Sequence, residues 1–440
     1  MTAADLDARD PLREYRSRFH TDDADPVVSY LDGNSLGRPT TASIERVSTF
    51  MTQDWGGRLI RGWDEEWFEL PITLGDTLGR VALGAAPGQT VIGDSTTVLL
   101  YKIARGAAAL RPGRTEIVLD RDNFPTDRYV LESIASELNL TLVWIDSDRR
   151  SGVRTADIAD VVTERTAFVL LSHVAYRSGF LADASAAARV AHDVGALVVL
   201  DLSHSVGSVP LRLDEWGVDL AVGCTYKYLN GGPGSPAFAY VRAEHLPEFR
   251  QPVWGWMGRA DAFAMEQGYV PAEGVRRVIS GTPPVLGMIA MQDTLAMIGE
   301  VGMDAIRAKS VALTEYALEL VRSDLVPLGV EIASPENADE RGGHVTLDHP
   351  DFREVTARLW KRGCHPRLPG PERHQARPEP AQHQLRGGAH RRSRDRRGAP
   401  ALTPGTTTRP VRWLCSDDFV AEGVRWGSNV RESEWSMITN

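Results

Sequence analysis

Lys227 is the residue most able to do chemistry. It closes the stretch AVGCTYK (221–227), where an apolar run meets a tyrosine and a lysine, and Gly231, Gly232 and Gly234 follow. A lysine in such a place is either one that snorkels out of a loop or one whose amine is kept deprotonated and nucleophilic by partial burial, as a Schiff-base lysine must be. Upstream, Asp201 ends the run VVLD (198–201) and His204 follows it. A carboxylate at the end of so apolar a run needs a cationic partner or a hydrogen-bonded proton. A helix cap explains it poorly, because Gly207 and Pro210 come soon after. Ser95, Thr96 and Thr97 stand directly before an apolar helical run. They are either ordinary caps or the hydroxyls and free N–H groups of an anion site. Phe124 lies in a loop after a strand-like run, as a buried loop aromatic or as a ring that stacks on a ligand.

Jointly these residues offer hydroxyls for a phosphate, an aromatic face, a carboxylate for a pyridinium nitrogen and an amine for an aldehyde. That is what pyridoxal phosphate requires. The carboxylate keeps the ring nitrogen protonated, which makes the ring an electron sink.

A scaffold must bring positions 95, 124, 201 and 227 to one edge. From about residue 75 to 240, strand-like and helical patterns alternate. TEIVLD (115–120), TLVWID (141–146), TAFVLLSHV (166–174), ALVVLD (196–201) and LAVGCT (220–225) are short β-rich runs suited to strands buried on both faces. Between them, YVLESIASELN (129–139) and DASAAARVAHDVG (183–195) read as helices, the second with a glycine stop. The alternation predicts an α/β domain with a mainly parallel sheet, whose ligands bind at the carboxyl ends of the strands. After SGTPPVLGM (280–288), ALTEYALELVRSDL and DFREVTARLWKRG read as helices, with RGGHVTLDHP as a strand between them. This is a second, smaller α+β unit, and it needs more strand and helix to close.

A chain of 440 residues predicts two domains. Hydrophobic content of 42% and charged content of 25% are those of a soluble globular protein. The formal net charge of −10 argues against bulk binding to nucleic acid or acidic membranes. Cys224, Cys364 and Cys415 lack metal-like spacing, so a reducing compartment is expected, with no disulfide frame and no metal. The first residues have no apolar core of a signal peptide, and no apolar run approaches the roughly 20 residues that span a bilayer. The expected location is cytoplasmic. No internal repeat is evident.

The chain order of phosphate loop, aromatic, Asp and Lys resembles the aspartate-aminotransferase-like superfamily, PLP fold type I. Within it, LDGNSLGRP (31–39), NFPTDRYV (123–130), the stretch from Asp201 to Gly234, GWMGR (255–259) and ISGTPPVLGM (279–288) resemble the kynureninase family. The resemblance runs from about residue 10 to Pro366. It implies a large domain built on a mainly parallel seven-stranded sheet, with a smaller α+β domain. The expected division is an N-terminal segment 1–50, a cofactor domain 51–285, and an incomplete small domain 286–366. It implies hydrolytic Cβ–Cγ cleavage of L-kynurenine to anthranilate and L-alanine, in tryptophan catabolism and on the kynurenine pathway toward pyridine nucleotides. The 3-hydroxy form of the substrate stays open. Carried over motif by motif, Lys227 forms the Schiff base and shuttles the α-proton, Asp201 pairs with the pyridinium nitrogen, and Phe124 stacks on the ring. Thr96, Thr97, Tyr226, Trp256 and Thr282 hold the phosphate region. Pro125, Thr126, Asp127, Ser172 and His204 complete the cofactor shell, and Tyr226 is also a candidate proton donor to the leaving carbanion. Ser35, Trp63, Gly281 and Thr282 face the substrate. Trp63, Gly281 and Thr282 resemble the set of members preferring kynurenine over its 3-hydroxy form. In this fold the site lies at a homodimer interface, so Trp256 and Thr282 are expected to reach the partner subunit's cofactor.

Residues 366–398, PRLPGPERHQARPEPAQHQLRGGAHRRSRDRRG, fit none of this. Between His365 and Pro400 the large aliphatics are Leu368 and Leu385, and no lysine follows Cys364. The family places here a strand and an arginine that grips the substrate carboxylate, a bidentate role lysine cannot copy. A basic binding tail is disfavoured by the interleaved Pro and Gly and the lack of lysine and aromatics. A plain disordered tail suits the composition. The favoured reading is a shifted frame. Synonymous GC-rich codons exist that, with one C removed across Pro366 and Arg367, read HPDFRAPNGIRLGLSPLSTSFAEV, which looks like the missing segment. On that reading 367–440 is an out-of-frame, disordered tail, Cys415 is not a family residue, and the arginine codon straddles Gln375 and Ala376. The competing functions are another fold type I enzyme, such as a cysteine desulfurase or a class-V aminotransferase, and a cofactor-binding protein without activity. A desulfurase needs a mobile catalytic cysteine. Cys224 sits in the strand leading to Lys227, and Cys364 lies far along the chain.

Overall fold

The computed structural model describes residues 3–21, 27–367 and 433–438. Most of the Arg-rich stretch, together with Gln375, Ala376 and Cys415, lies outside the described residues. After a two-residue strand β1 (Ser29–Tyr30), seven strands form the main sheet: β2 (Thr90–Gly93), β3 (Glu116–Asp120), β4 (Thr141–Ile145), β5 (Thr166–Ser172), β6 (Leu197–Asp201), β7 (Leu220–Gly223) and β8 (Ala237–Val241). Their order is β2-β8-β7-β6-β5-β3-β4. Only β8 runs against its neighbours β2 and β7; the other pairs are parallel. It follows β7 through a glycine-rich loop rather than a helical crossover, so it doubles back.

The expected apolar runs form strands because both sheet faces are covered. Alternate residues of β6 serve opposite sides, Val198 and Leu200 in one apolar cluster and Leu197 and Val199 in the other. Leu99, Leu100 and Ile103 of the helix Thr96–Ala109, with Leu131 and Ile134 of the helix Pro125–Leu138, cover one face. Leu74 and Leu78 of the helix Leu70–Leu78, with Ala187, Ala188 and Ala191 of the helix Ala184–Asp193, cover the other. Each large aliphatic buried this way contributes on the order of 1.5–3 kcal/mol.

The second unit has strands β9 (Glu331–Ile332) and β10 (His344–His349) on a small core that includes Leu318, Val321, Val345, Leu347 and Phe352. Met288, Ile289, Met291, Leu295 and Ile298 instead join the large cluster, although 286 was expected to open the small unit. The strand β11 (Cys364–His365) leaves this unit and pairs in parallel with β1. The strand β12 (Ser433–Ile438) pairs antiparallel along β10. This hexapeptide departs from the disorder expected after Pro366. The outer edge of β10 offers unpaired backbone groups, and an extended segment satisfies them. Among the described residues no single helix is long and apolar enough to cross a membrane.

Candidate active site

The parallel ladder sets the site. Ser172 is level with Asp201, and Asp201 with Val222, so β5, β6 and β7 end side by side. Lys227 follows β7 by four residues, in a loop turned by Asn230 in the left-handed region (φ 53°). Its side chain is 8% exposed, and Nζ lies 2.9 Å from His204 Nε2. Nζ also stands 5.9 Å from the centre of the Phe124 ring and 5.8 Å from that of Tyr226. Burial, and then the Lys227 charge, push the His204 imidazole well below its usual range, so it stays neutral and can accept a hydrogen bond from the lysine.

The carboxylates come next. Asp201 is buried and accepts from the Ser203 amide at 2.8 Å. Asp127, on the first turn of the helix Pro125–Leu138, is raised well above the carboxylate range by burial and then by the Asp201 charge. Asp120, at the end of β3, is pushed up to about 7 by burial and then by Asp122. Buried acids are therefore gathered where a cation would be welcome. Asn123 ties them to the neighbouring strand: its Oδ1 accepts from Ser172 Oγ at 2.8 Å and from the Phe124 amide at 2.7 Å. Among the described residues, Asn123 Nδ2, Asp127 Oδ2 and His204 Nδ1 are buried without a hydrogen-bond partner.

The helix Thr96–Ala109 begins as expected, with the Ser95 hydroxyl capping the Val98 amide. Thr96 is partly buried and Thr97 exposed on its first turn, where free amides favour an anion. Phe124 packs edge-on against Tyr176 at 5.4 Å, and Pro125 and Thr126 open the next helix. Ser35 lies in a tight turn with Asp32 that is docked on the lysine loop, since the Gly37 amide donates to the Tyr226 carbonyl at 2.8 Å. Burial, and then the thiol of Cys224, raise the Tyr226 phenol, so it holds its proton.

Four expected residues stand apart. Trp256 is 37% exposed and Thr282 is exposed, beside Gly281, and the Met257 amide joins the two loops by donating to the Ser280 carbonyl at 3.2 Å. Trp63 packs on Trp67 at 5.7 Å, against both apolar clusters. The structure also gathers residues that the sequence did not single out: Asp32, Asn123, Tyr228, His344 and Asp120. His344 is fully buried, its ring 5.7 Å from that of His204, and neither nitrogen has a partner among the described residues. A histidine in a short strand of the second unit gives no local signal of its purpose.

This donor set fits pyridoxal phosphate. An amine, a buried acid cluster, an aromatic ring and a helix N-terminus surround buried polar atoms that lack partners.

A family profile described as aminotransferase class-V matches residues 82–359. The chain is 37% identical over 365 residues to a kynureninase of Pseudomonas fluorescens, covering 81% of this chain and 85% of that one. It is 39% identical over 366 residues to a kynureninase of Burkholderia pseudomallei strain 1106a, with the same coverage, 81% and 85%. Among solved structures, the apo cysteine desulfurase of Thermococcus onnurineus NA1 superposes with a TM-score of 0.69 at 20% identity, covering 84% of this chain and 88% of that one. The cysteine desulfurase CsdA of Escherichia coli gives 0.68 at 17% identity, covering 81% and 87%. These structural likenesses speak to the fold alone.

Proposed function

The chain belongs to the kynureninase family, within the class-V aminotransferases, and on that premise we propose how its residues share the work of a pyridoxal-phosphate-dependent hydrolase that cleaves the Cβ–Cγ bond of L-kynurenine to anthranilate and L-alanine. The observation that carries the proposal is the buried Lys227 amine, 2.9 Å from a neutral His204 and beside the acid cluster of Asp201 and Asp127. When bound, pyridoxal phosphate supplies an aldehyde for that amine and a ring that withdraws electrons.

The chain does the rest. Lys227 holds the cofactor and then moves the α-proton of the substrate through Nζ. Asp201 faces the ring nitrogen, and Asp127, which burial and the Asp201 carboxylate hold protonated, donates a hydrogen bond to Asp201 rather than opposing it. Phe124 covers one ring face, with Ser172, Pro125, Thr126 and His204 completing the shell. Thr96 and Thr97 take the phosphate at the helix N-terminus. Tyr226, which keeps its phenolic proton, donates it to the carbon left by cleavage. Ser35, Trp63, Gly281 and Thr282 shape the substrate's place.

The working unit is a homodimer in the cytoplasm. Trp254 (63%), Trp256 (37%), Phe263 (59%) and Met265 (75%) are too exposed for a free surface, and this supports a second copy there, with Trp256 and Thr282 serving the partner's site. A desulfurase is disfavoured, since Cys224 is 2% exposed and Cys364 is also buried, so neither described cysteine can swing to a substrate.

The test is turnover. Purified protein loaded with pyridoxal phosphate is given L-kynurenine and the fluorescence of anthranilate is followed. Lys227→Ala is expected to abolish release, with the thermal midpoint of the cofactor-free protein shifted only slightly. A wild-type protein that binds the cofactor and releases no anthranilate refutes the reading.

A further inference from the structure

The end of the sheet away from Lys227 carries a second cluster of chemically able side chains. Among the described residues, Asp219, Glu244 and His245 bring one ligand atom each to within 4.8 Å of one another. Asp219 directly precedes β7, whereas Lys227 follows it, so the cluster lies at the opposite end of the strands from the candidate active site. β8 runs antiparallel to β7 and pairs Val241 with Leu220, which returns the chain to that end. The turn Ala243–His245 comes directly after and delivers Glu244 and His245. Sequence spacing does not disclose the cluster, because Asp219 and His245 are 26 residues apart and meet through the pairing of β7 with β8.

Asp219 is 2% exposed. Its Oδ2 accepts from the Val198 amide and from His192 Nε2, both at 2.8 Å, and its Oδ1 accepts from His245 Nε2 at 2.7 Å. Burial alone would raise this carboxyl, but the bonds from His192 and His245 hold it down at about 2. It is therefore charged, and a buried charge needs a compensating one. None of its three partners carries a permanent charge, since an imidazole is neutral over much of the physiological range. The Arg242 guanidinium is occupied by the Asp214 carbonyl at 3.0 Å and by Glu244 at 3.4 Å.

The spacing suits a metal ion. His245 Nε2 stands 2.7 Å from Asp219 Oδ1 and 3.7 Å from Glu244 Oε1. Zn²⁺ binds nitrogen and oxygen at about 2.0–2.2 Å, so two of its tetrahedral ligands stand roughly 3.3–3.6 Å apart. The two observed distances bracket that spacing. One imidazole with two carboxylates suits Zn²⁺ better than Mg²⁺ or Ca²⁺, which take oxygen ligands. The Glu244 side chain is 64% exposed, so it can turn to the ion once it leaves Arg242, a surface ion pair of little strength. His192 and the Val198 amide, on the other carboxylate oxygen, fix the orientation of Asp219 as outer-shell partners do.

We propose that Asp219, Glu244 and His245 bind one Zn²⁺ ion, which fastens the turn after β8 to the amino ends of β6 and β7. The ion takes the place of the His245 Nε2 proton, and the imidazole binds as the neutral Nδ1–H tautomer. The site is separate from the cofactor and independent of the kynurenine-cleaving reading.

The experiment uses tag-free, cofactor-loaded full-length protein, stripped with a chelator and titrated with Zn²⁺ by calorimetry, with Mg²⁺ as the comparison. Zn²⁺ is expected to bind as one ion per chain and to raise the thermal midpoint, and Mg²⁺ to do neither. Glu244→Gln, a change at the surface, and His192→Gln should each weaken Zn²⁺ about 10- to 100-fold. His245→Gln should abolish binding, and Glu244→Gln carries the comparison if that variant folds poorly. A wild-type protein that binds no Zn²⁺ overturns the proposal. So does a Glu244→Gln variant that binds Zn²⁺ as tightly as wild type, or a midpoint that responds equally to Mg²⁺.

Discussion

At the scale of the residue, the site is a gathering of acids that awaits a cation. Asp120, held at about 7 by burial and then by Asp122, and Asp127, raised well above the carboxylate range by burial and then by Asp201, bind protons in the folded protein that the unfolded chain has already released. Such a group contributes stability in full below its unfolded value near 4, and loses it as pH rises through the folded value. For Asp120 the window is about pH 4 to 7. Cofactor-free protein should therefore lose stability from pH 5 to pH 8. Asp120→Asn should flatten that slope and stabilise the protein at pH 8 by about 2–4 kcal/mol, as removal of a buried charge predicts. Denaturant melts of the two proteins at both pH values measure it; parallel slopes defeat the account. Lys227, Asp201, Phe124 and the Thr96–Thr97 pair were legible in the sequence, because each chemistry needs one residue type just past a strand. Asp120, Tyr228 and His344 were not, since a buried acid at the end of β3 or a histidine in β10 reads as an ordinary strand residue until the fold supplies its neighbours.

At the scale of the element, two contacts hold the catalytic loops in place. Asp94, directly after β2, has a left-handed backbone (φ 46°), a conformation costly for a residue with a side chain. The fully buried Lys102 holds it with an ion pair of 2.5 Å and reaches on to the Val278 carbonyl at 3.0 Å. One lysine thus joins the turn before Thr96 to the segment leading to Gly281 and Thr282. Lys102→Met, of similar length and without charge, should cost about 1–3 kcal/mol, as loss of a charged hydrogen bond does when the remaining carboxylate is partly exposed, and should weaken cofactor binding. Titration with pyridoxal phosphate checks the second effect. Gly37 has a different task. A Cβ there would strike the Lys227 carbonyl and the Asn230 side chain. Gly37→Ala should cost about 1–3 kcal/mol as overpacking does, and should lower turnover by more than its melting point suggests, because the displaced backbone carries Lys227. A turnover loss that only follows the unfolded fraction defeats this. Five strands of the main sheet, β3 to β7, were legible from their apolar runs, since a strand covered on both faces has little freedom of composition; β2 and β8 were not. The pairing of β11 with β1 was not, because two residues carry no periodicity and their register is set by tertiary docking.

At the scale of the whole molecule, the question is whether one chain holds a whole site. Lys227, Asp201, Asp127 and Phe124 meet within this chain, whereas Trp256, Gly281 and Thr282 sit exposed on joined loops beside Trp254, Phe263 and Met265. In a two-fold dimer each copy gives the same surface to the other, so loops that leave one site incomplete can complete its partner. The proposed arrangement predicts complementation between dead variants. Lys227→Ala lacks the amine in its own site, and Trp256→Ala lacks the ring it lends. In a mixed dimer, one site then receives both defects and the other receives neither. Co-refolding equal amounts makes about half of the dimers mixed, so activity should return to about a quarter of the wild-type level from two preparations that are each inactive. If both residues served the same subunit's site, every site in the mixture would keep one defect and mixing would restore nothing. The result decides whether Trp256 and Thr282 act across an interface or within the fold that carries them, which the exposure of their loops alone leaves to the partner.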